Sequence, residues 1–180
     1  IAPLPFEITL YQAVTKGKTM DLIIQKATEL GAHRVVPVLS ERSVPDWDEA
    51  KAAAKVEKWR SVCIESIKQC GSAWLPTLEM PMTPSAAIED ARGAEVSLIA
   101  TLQSDAKHPR THIDGYEAEN GQAPKKLAIW VGPEGDYTPA EINQIRGSAL
   151  PITLGPLVLR SETAAIYCLA FLNYELQSRP

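Results

Sequence analysis

Alternating and continuous runs of hydrophobic residues divide the chain into five predicted strands. Residues 6–14 alternate apolar and polar side chains, a pattern typical of a half-buried strand. Residues 34–39 form a β-branched run, which is typical of a strand buried on both faces. Further apolar segments predict strands at 96–101, 127–131 and 151–154.

Helices with recognisable start and stop residues lie between these strands. Thr19 is a candidate N-cap for a helix with apolar residues at helical spacing, and Gly31 is its predicted end. The segment Thr138-Pro139-Ala140-Glu141 combines an N-cap, a proline at the first helical position and a capping-box glutamate, which predicts a helix to about Gly147. Other helices are predicted at 48–69, at 85–91 and after Ser161, which is the expected N-cap of the last one.

The alternation of strands and helices predicts one α/β domain over residues 1–180, with a mainly parallel sheet covered by helices on both faces. Two segments are predicted to lack regular helices and strands. Residues 105–126 are polar and include the turn candidate Asn120-Gly121, so we expect an exposed loop of unusual length. Residues 76–84 contain three prolines and are expected to be extended or looped.

Composition and charge exclude several classes of protein. The chain is 45% hydrophobic and 22% charged, which is ordinary for a globular domain, and no apolar run approaches the roughly 20 residues that span a bilayer. The net charge of -4 argues against a whole-surface electrostatic grip on nucleic acid, so any RNA contact must be local or supplied elsewhere. The chain also begins without methionine, and we expect it to lack N-terminal sequence.

Cysteine and histidine placement argues against disulfides and metal sites. Cys63, Cys70 and Cys168 cannot all pair and form no zinc-like cluster, which favours a cytoplasmic location. Cys63 and Cys70 are predicted to lie buried on one helix face. The three histidines are scattered, so no metal cofactor is expected.

Two glycine turns after predicted strands carry the strongest functional signal. Gly132-Pro133-Glu134-Gly135 follows one strand, and Leu154-Gly155 follows the next and leads into Arg160-Ser161-Glu162-Thr163. Parallel α/β sheets bind ligands beyond the carboxyl ends of their strands, where such turns lie. Neither a dinucleotide fingerprint, nor a phosphate loop, nor the elbow of a serine hydrolase occurs in the sequence.

These segments resemble the cofactor motifs of the knotted (SPOUT) RNA methyltransferases and, in detail, the 16S ribosomal RNA uracil-N3 methyltransferase family. The resembling blocks are Glu29-Leu30-Gly31 with Pro37, Glu41-Arg42-Ser43, Gly132-Pro133-Glu134-Gly135, Leu154-Gly155 with Leu159-Arg160, and Glu162-Thr163-Ala164. They are spread over nearly all of the chain.

The chain departs from the family pattern in two places. Residues 68–72 resemble an E-Q-S-x-R block, but Lys68 replaces the glutamate, Cys70 the serine and Ser72 the arginine. Any duty of that arginine is therefore in doubt here. Asp136 follows Gly135 where many relatives have a second glycine.

The resemblance implies an architecture and an activity. It implies a C-terminal deep trefoil knot, S-adenosyl-L-methionine as methyl donor without a metal, and a homodimer with its site near the subunit interface. The implied reaction is methylation of N3 of a uridine in 16S rRNA, free or within the small ribosomal subunit. The family normally carries an N-terminal RNA-binding barrel, and its absence from this chain would explain the acidic balance.

The resemblance also implies which residues form the site. Gly132 and Gly135 would let the backbone approach the cofactor closely. Leu102, Leu154 and Leu159 would supply apolar walls and main-chain hydrogen bonds to adenine. The full set of expected cofactor residues is Leu102, Gly132, Glu134, Gly135, Leu154, Gly155, Pro156, Leu159, Thr163 and Ala164.

Three charged residues are candidates for the chemistry. Methylation at uracil N3 requires loss of an imide proton, and the resulting anion spreads onto O2 and O4, so a fixed cation aimed at those oxygens lowers the barrier. Arg160 is the first candidate for that cation and Arg42 the second. Glu162 could act as base if burial raises its pKa, but a first-turn glutamate also simply stabilises a helix dipole.

Two alternatives stay open at this point. The same fold could methylate another RNA position or a ribose 2′-hydroxyl. The chain could also be a non-catalytic dimeric RNA-binding module, although its acidic balance weakens that interpretation.

Overall fold

Six parallel strands form a single sheet in the order β3-β2-β1-β5-β4-β6. The structure, a computed structural model, describes residues 3–43 and 45–179. The strands are β1 (Glu7–Ala13), β2 (Arg34–Val38), β3 (Thr77–Leu78), β4 (Val96–Ala100), β5 (Lys126–Val131) and β6 (Leu150–Ile152). The helices are α1 (Thr19–Glu29), α2 (Glu49–Cys70), α3 (Pro84–Asp90), α4 (Pro109–Asn120), α5 (Pro139–Arg146) and α6 (Ser161–Gln177), and a 3₁₀ turn follows α3 at Ala91–Gly93.

Both faces of the sheet are buried, as the sequence predicts for an α/β fold. Alternate residues of β1 enter different cores, because successive side chains of a strand point to opposite faces: Ile8 and Leu10 pack with α1 and α6, whereas Tyr11 packs on the other face. There the Tyr11 ring stacks on Trp130, with centroids 4.3 Å apart. The expected mainly parallel sheet with helices on both faces is confirmed.

The parallel arrangement brings the carboxyl ends of β1, β4, β5 and β6 to one edge of the sheet. Gln12 of β1 pairs with Val131 of β5, and Ala100 of β4 pairs with Ile152 of β6. Because all strands run in one direction, the loops after β1, β4, β5 and β6 leave the sheet side by side.

Residues 109–120 form helix α4, so the prediction of a loop over 105–126 is wrong for this part. The helix is polar around most of its surface, and its one fully buried large side chain is Ile113. Its ends are fixed locally: the His108 Nδ1 accepts a hydrogen bond from the Arg110 amide at 3.3 Å, and Gly121 ends the helix with φ 72°. Arg110 then pairs with buried Glu175 of α6 at 2.8 Å, a tertiary contact that no local pattern reveals.

Several element boundaries also differ from prediction. The segment expected to be extended or looped contains the short strand β3, so the described sheet has six strands rather than five. Thr19 is the first residue of α1 and not its cap, since the N-cap is Lys18. The last strand, β6, is Leu150–Ile152 rather than 151–154.

Two local predictions have opposite outcomes. The capping box at the start of α5 is confirmed: the Thr138 hydroxyl accepts from the Glu141 amide, and the Glu141 carboxylate accepts from the Thr138 amide. The prediction that Cys63 and Cys70 are both buried on one face of α2 is wrong, because Cys63 is buried and Cys70 is exposed. Among residues 3–43 and 45–179, no helix is long and apolar enough to cross a membrane.

Candidate functional site

A cavity of about 560 Å³ opens at the carboxyl edge of the sheet. Its walls are residues 100–103 after β4, 131–136 after β5, and 153–161 after β6 together with Ala164 of α6. This volume lies within the roughly 300–1,000 Å³ range of small-molecule sites. The loops after β4, β5 and β6 thus converge on one cavity, which includes both glycine turns that the sequence indicates.

The turn after β5 leaves no room for a side chain at Gly132. A Cβ atom on Gly132 would lie 2.7 Å from Asp136 Oδ1 and 3.1 Å from the Tyr137 amide nitrogen, so a larger residue would displace the turn. Gly135 and Asp136 both adopt left-handed conformations, with φ of 82° and 67°. Asp136 tolerates this because its Oδ1 accepts a hydrogen bond from the Tyr137 amide at 2.8 Å.

Asp136 is the one non-glycine residue with positive φ in the described part of the chain, at the position where the family resemblance leads us to expect glycine. Burial raises the pKa of its carboxyl group, while the Tyr137 amide and the Arg42 guanidinium partly oppose this effect. The departure from glycine is thus accommodated by a side-chain hydrogen bond to the next amide.

Ser161 joins three elements of the site through its hydroxyl group. Its Oγ donates to the Gly132 carbonyl oxygen at 2.5 Å and accepts from Gln12 Nε2 at 3.0 Å. Gln12 is fully buried at the end of β1, and its Nε2 also donates to the Ala13 carbonyl oxygen at 2.9 Å. The prediction that Ser161 caps α6 is wrong, because Arg160 is the N-cap and Ser161 is the first helical residue.

Two buried polar atoms near the cavity have no hydrogen-bond partner among the described residues. They are Thr101 Oγ1, on a residue that lines the cavity, and Gln12 Oε1. Leaving such a group unpaired costs about 1–3 kcal/mol. A bound ligand with polar groups would offset this cost at Thr101. Sequence reasoning overlooked Thr101 and Gln12, and the only signal was a polar residue near the end of a buried strand.

Most of the predicted cofactor residues line the cavity. Thr163 does not, since it lies exposed on α6 outside the lining. The lining members are Leu102, Gly132, Glu134, Gly135, Leu154, Gly155, Pro156, Leu159 and Ala164. The structure places these residues together, and their roles in binding stay predictions.

The three candidate catalytic residues occupy different surroundings. Arg160 is exposed on the cavity wall and forms no ion pair with any described residue. Glu162 is half-buried in the first turn of α6 and is not part of the cavity lining. Arg42 lies behind the turn after β5, where its Nη1 donates to the Gly135 carbonyl oxygen and, at 3.4 Å, to that of Asp136.

A second link fastens the Arg42 loop to the start of α5. The Glu41 amide donates to Glu141 Oε1 at 2.7 Å, while the other carboxylate oxygen of Glu141 accepts from the Thr138 amide at 2.9 Å. Glu141 is buried, so both bonds are shielded from water. The loop after β2 therefore braces the turn after β5 from outside.

Residues 68–72, the block that differs from the family pattern, lie away from this cavity. Ser72 Oγ donates to the Trp74 carbonyl oxygen at 2.9 Å, and both residues line a separate groove of about 390 Å³ with Gly31 and Tyr174. Two of the blocks that resemble the family, Glu29-Leu30-Gly31 and residues 68–72, thus meet at this groove. No group of three or more metal-ligating side chains occurs within the described residues.

Comparison with known proteins gives a consistent set of similarities. The sequence profile described as RNA methyltransferase domain matches residues 2–173. The chain is 30% identical to ribosomal RNA small subunit methyltransferase E of Bacillus subtilis over 97% of its length and 68% of that protein. It is also 30% identical to the Synechocystis protein of the same name, covering 97% of this chain and 55% of that relative.

Solved structures agree with these sequence matches. A putative methyltransferase of Legionella pneumophila, in complex with the bound cofactor SAM, is similar with a TM-score of 0.85 and 34% identity, covering 95% of this chain and 67% of that one. Ribosomal RNA small subunit methyltransferase E of Neisseria gonorrhoeae, bound to S-adenosyl methionine, has a TM-score of 0.80 and 28% identity over 95% of this chain and 67% of its own.

Proposed function

Since the chain belongs to the RNA methyltransferase domain family, we propose that it transfers a methyl group from S-adenosylmethionine to N3 of a uridine in 16S rRNA. The observation that carries the proposal is the cavity formed by three loops at the carboxyl edge. Relatives that match nearly all of this chain are named for small-subunit rRNA methylation, and two similar structures contain the methyl donor.

The cavity has the chemistry that this cofactor requires. S-adenosylmethionine, when bound, supplies a methyl group activated by its sulfonium. Leu102, Leu154 and Leu159 offer apolar surface for an adenine ring, and the glycine turn exposes backbone groups without a side chain in the way. The unpaired Thr101 hydroxyl adds a polar atom that a ligand can satisfy.

Arg160 is our candidate for the cation that stabilises the uracil anion. Its side chain is exposed on the cavity wall and has no competing carboxylate partner among the described residues. A positive charge at this wall favours the deprotonated imide, whose negative charge lies on O2 and O4.

The other two candidates receive different roles in this proposal. Arg42 holds the Gly135 and Asp136 carbonyl groups, so we assign it to shaping the cofactor-side turn rather than to contacting the base. Glu162 lies in the first turn of α6, outside the cavity lining, which supports stabilisation of the helix dipole over proton removal.

We also propose the deep trefoil knot for the C-terminal part. The sheet order places β5 between β1 and β4, with β6 outside them. The chain nevertheless returns from β6 so that Ser161, at the start of α6, contacts both Gly132 and Gln12. This return path supports threading of α6 through the preceding loops.

A homodimer is the proposed assembly, with the small ribosomal subunit or its rRNA as substrate in the cytoplasm. Two tyrosines of α6, Tyr167 and Tyr174, are exposed by 48% and 75%, and Tyr174 borders the groove near Ser72. Large exposed aromatic side chains are typical of protein interfaces. We propose that an RNA-binding barrel, which the family resemblance implies, completes the enzyme.

Titration calorimetry with S-adenosylmethionine tests the first half of the proposal. We expect saturable binding, and no heat at millimolar ligand would overturn it. Methyl transfer to unmodified 16S rRNA, followed by nucleoside mass spectrometry, tests the second half. A product other than 3-methyluridine would favour another RNA position or the ribose 2′-hydroxyl, and cofactor binding without any transfer would favour a non-catalytic module.

A further inference from the structure

The loop between β1 and α1 exposes two lysines at the carboxyl edge of the sheet, the edge at which the cavity opens. Lys16, Gly17 and Lys18 are all exposed, and neither lysine forms an ion pair with a described residue. Many other cations of the chain are neutralised by carboxylates. The paired ones are Lys26, Arg34, Lys58, Lys68, Arg92, Arg110, Arg146 and Arg179.

The strand that precedes this loop contacts the start of α6. Gln12, four residues before Lys16, hydrogen-bonds to Ser161, the neighbour of Arg160. Four Cα–Cα steps span at most about 15 Å, which sets the upper limit on the distance between the Gln12 and Lys16 Cα atoms. The unpaired cations Lys16, Lys18 and Arg160 therefore share the edge of the sheet on which the cavity opens.

The surroundings of the loop favour an anion. Helix α1 begins there without a side-chain cap, so the positive end of its dipole adds to the lysine charges. The acidic residue of its first turn, Asp21, is already engaged by Lys58 at 2.5 Å and by the Trp59 indole at 3.1 Å. The exposed carboxylates Glu41 and Glu134 lie in other loops of the same edge and offset part of this positive charge.

We propose that Lys16 and Lys18 bind backbone phosphates of the RNA that flank the nucleotide entering the cavity. This inference rests on the proposed function, since it requires an RNA substrate. It explains how a chain of net charge -4 makes a local phosphate contact without a basic surface overall.

The test measures the salt dependence of RNA affinity. Binding of an unmodified 16S rRNA transcript is titrated at several KCl concentrations, for the wild type and for Lys16→Ala/Lys18→Ala. Losing two single-strand phosphate contacts lowers the steepness of log K against log salt by about 1.4, so the change in affinity between 0.1 M and 1 M salt becomes roughly 25-fold smaller. Lys16→Arg/Lys18→Arg keeps the charges and is expected to keep the slope.

A matched control removes two exposed lysines from the opposite edge of the sheet. Lys125→Ala/Lys126→Ala changes the net charge equally, at the amino end of β5. An unchanged slope in Lys16→Ala/Lys18→Ala, an equal change in the control, or no salt-dependent binding by the wild type overturns the inference. Failure of the proposed function can be told apart from this result, because in that case the wild-type protein does not bind S-adenosylmethionine or does not transfer a methyl group.

Discussion

The Ser161 hydroxyl donates a 2.5 Å hydrogen bond to the Gly132 carbonyl oxygen and so joins two walls of the cavity. The same hydroxyl accepts from Gln12, which brings the end of β1 into the network. All three residues are buried. The shape of the cavity therefore depends on a bond between residues 29 positions apart in the sequence.

We expect Ser161→Ala to weaken both folding and cofactor binding. The substitution leaves the Gly132 carbonyl and the Gln12 amide short of a buried partner, at a cost of about 1–3 kcal/mol. Urea unfolding measures the loss of stability, and calorimetry measures S-adenosylmethionine affinity. Ser161→Thr keeps the hydroxyl and serves as control. Wild-type behaviour of Ser161→Ala in both measurements would show that the network does not shape the cavity.

Gly132→Ala is expected to lower S-adenosylmethionine affinity at least about tenfold, or ~1.4 kcal/mol. The new methyl group would lie 2.7 Å from Asp136 Oδ1 and 3.1 Å from a backbone nitrogen, so the turn must move. Gly115→Ala is the matched control, since nothing lies within 4 Å of its added Cβ in helix α4. That control is expected to gain roughly 0.5–1 kcal/mol of stability and to bind normally. Equal affinity of both variants would refute the expectation.

Arg160→Ala is expected to lower kcat by roughly 10²–10³-fold, the loss typical of removing one group that stabilises an oxyanion. Cofactor affinity should stay near that of the wild type. Arg42→Ala should behave differently, because Arg42 holds the carbonyl groups of the turn, and it should weaken cofactor binding first. Single-turnover methyl transfer and calorimetry separate the two effects. An Arg160→Ala enzyme as active as the wild type would remove Arg160 from the mechanism.

Acid should destabilise the fold by protonating Asp90, which forms a half-buried ion pair with Arg34. The Arg34 guanidinium, with bonds of 2.7 and 2.9 Å, holds the pKa of Asp90 below its usual value, and the Tyr11 hydroxyl adds to this effect. A depressed carboxyl pKa contributes stability above the unfolded-state pKa of about 4, and that contribution is lost as pH falls through the folded value.

Urea unfolding between pH 2 and pH 7 checks this prediction. Asp90→Asn should be less stable than the wild type at pH 7, and the difference should shrink as the pH falls. Glu65→Gln, which removes an exposed pair with Lys68, should change the profile little. A stability difference between Asp90→Asn and the wild type that is constant over the whole range would contradict the linkage.

Local sequence patterns determined most of the framework. The alternation in β1, the buried run of β2 and the capping box at Thr138 each arise from residues that are neighbours in sequence, so their structure is readable without the fold. The glycine turns at Gly132 and Gly155 were also located from sequence, because glycine and the strand before it are local signals.

Only the tertiary structure decided which distant groups become partners. Helix α4 is stabilised by the ion pair of Arg110 with Glu175, 65 residues away. The polar sequence of the helix does not predict this contact. Ser161 and Arg42 donate hydrogen bonds to carbonyl groups of the turn after β5, which the sheet order brings within reach. Hydrophobic periodicity reports the face that a residue buries, whereas a hydrogen-bond partner depends on which strand ends meet at the sheet edge.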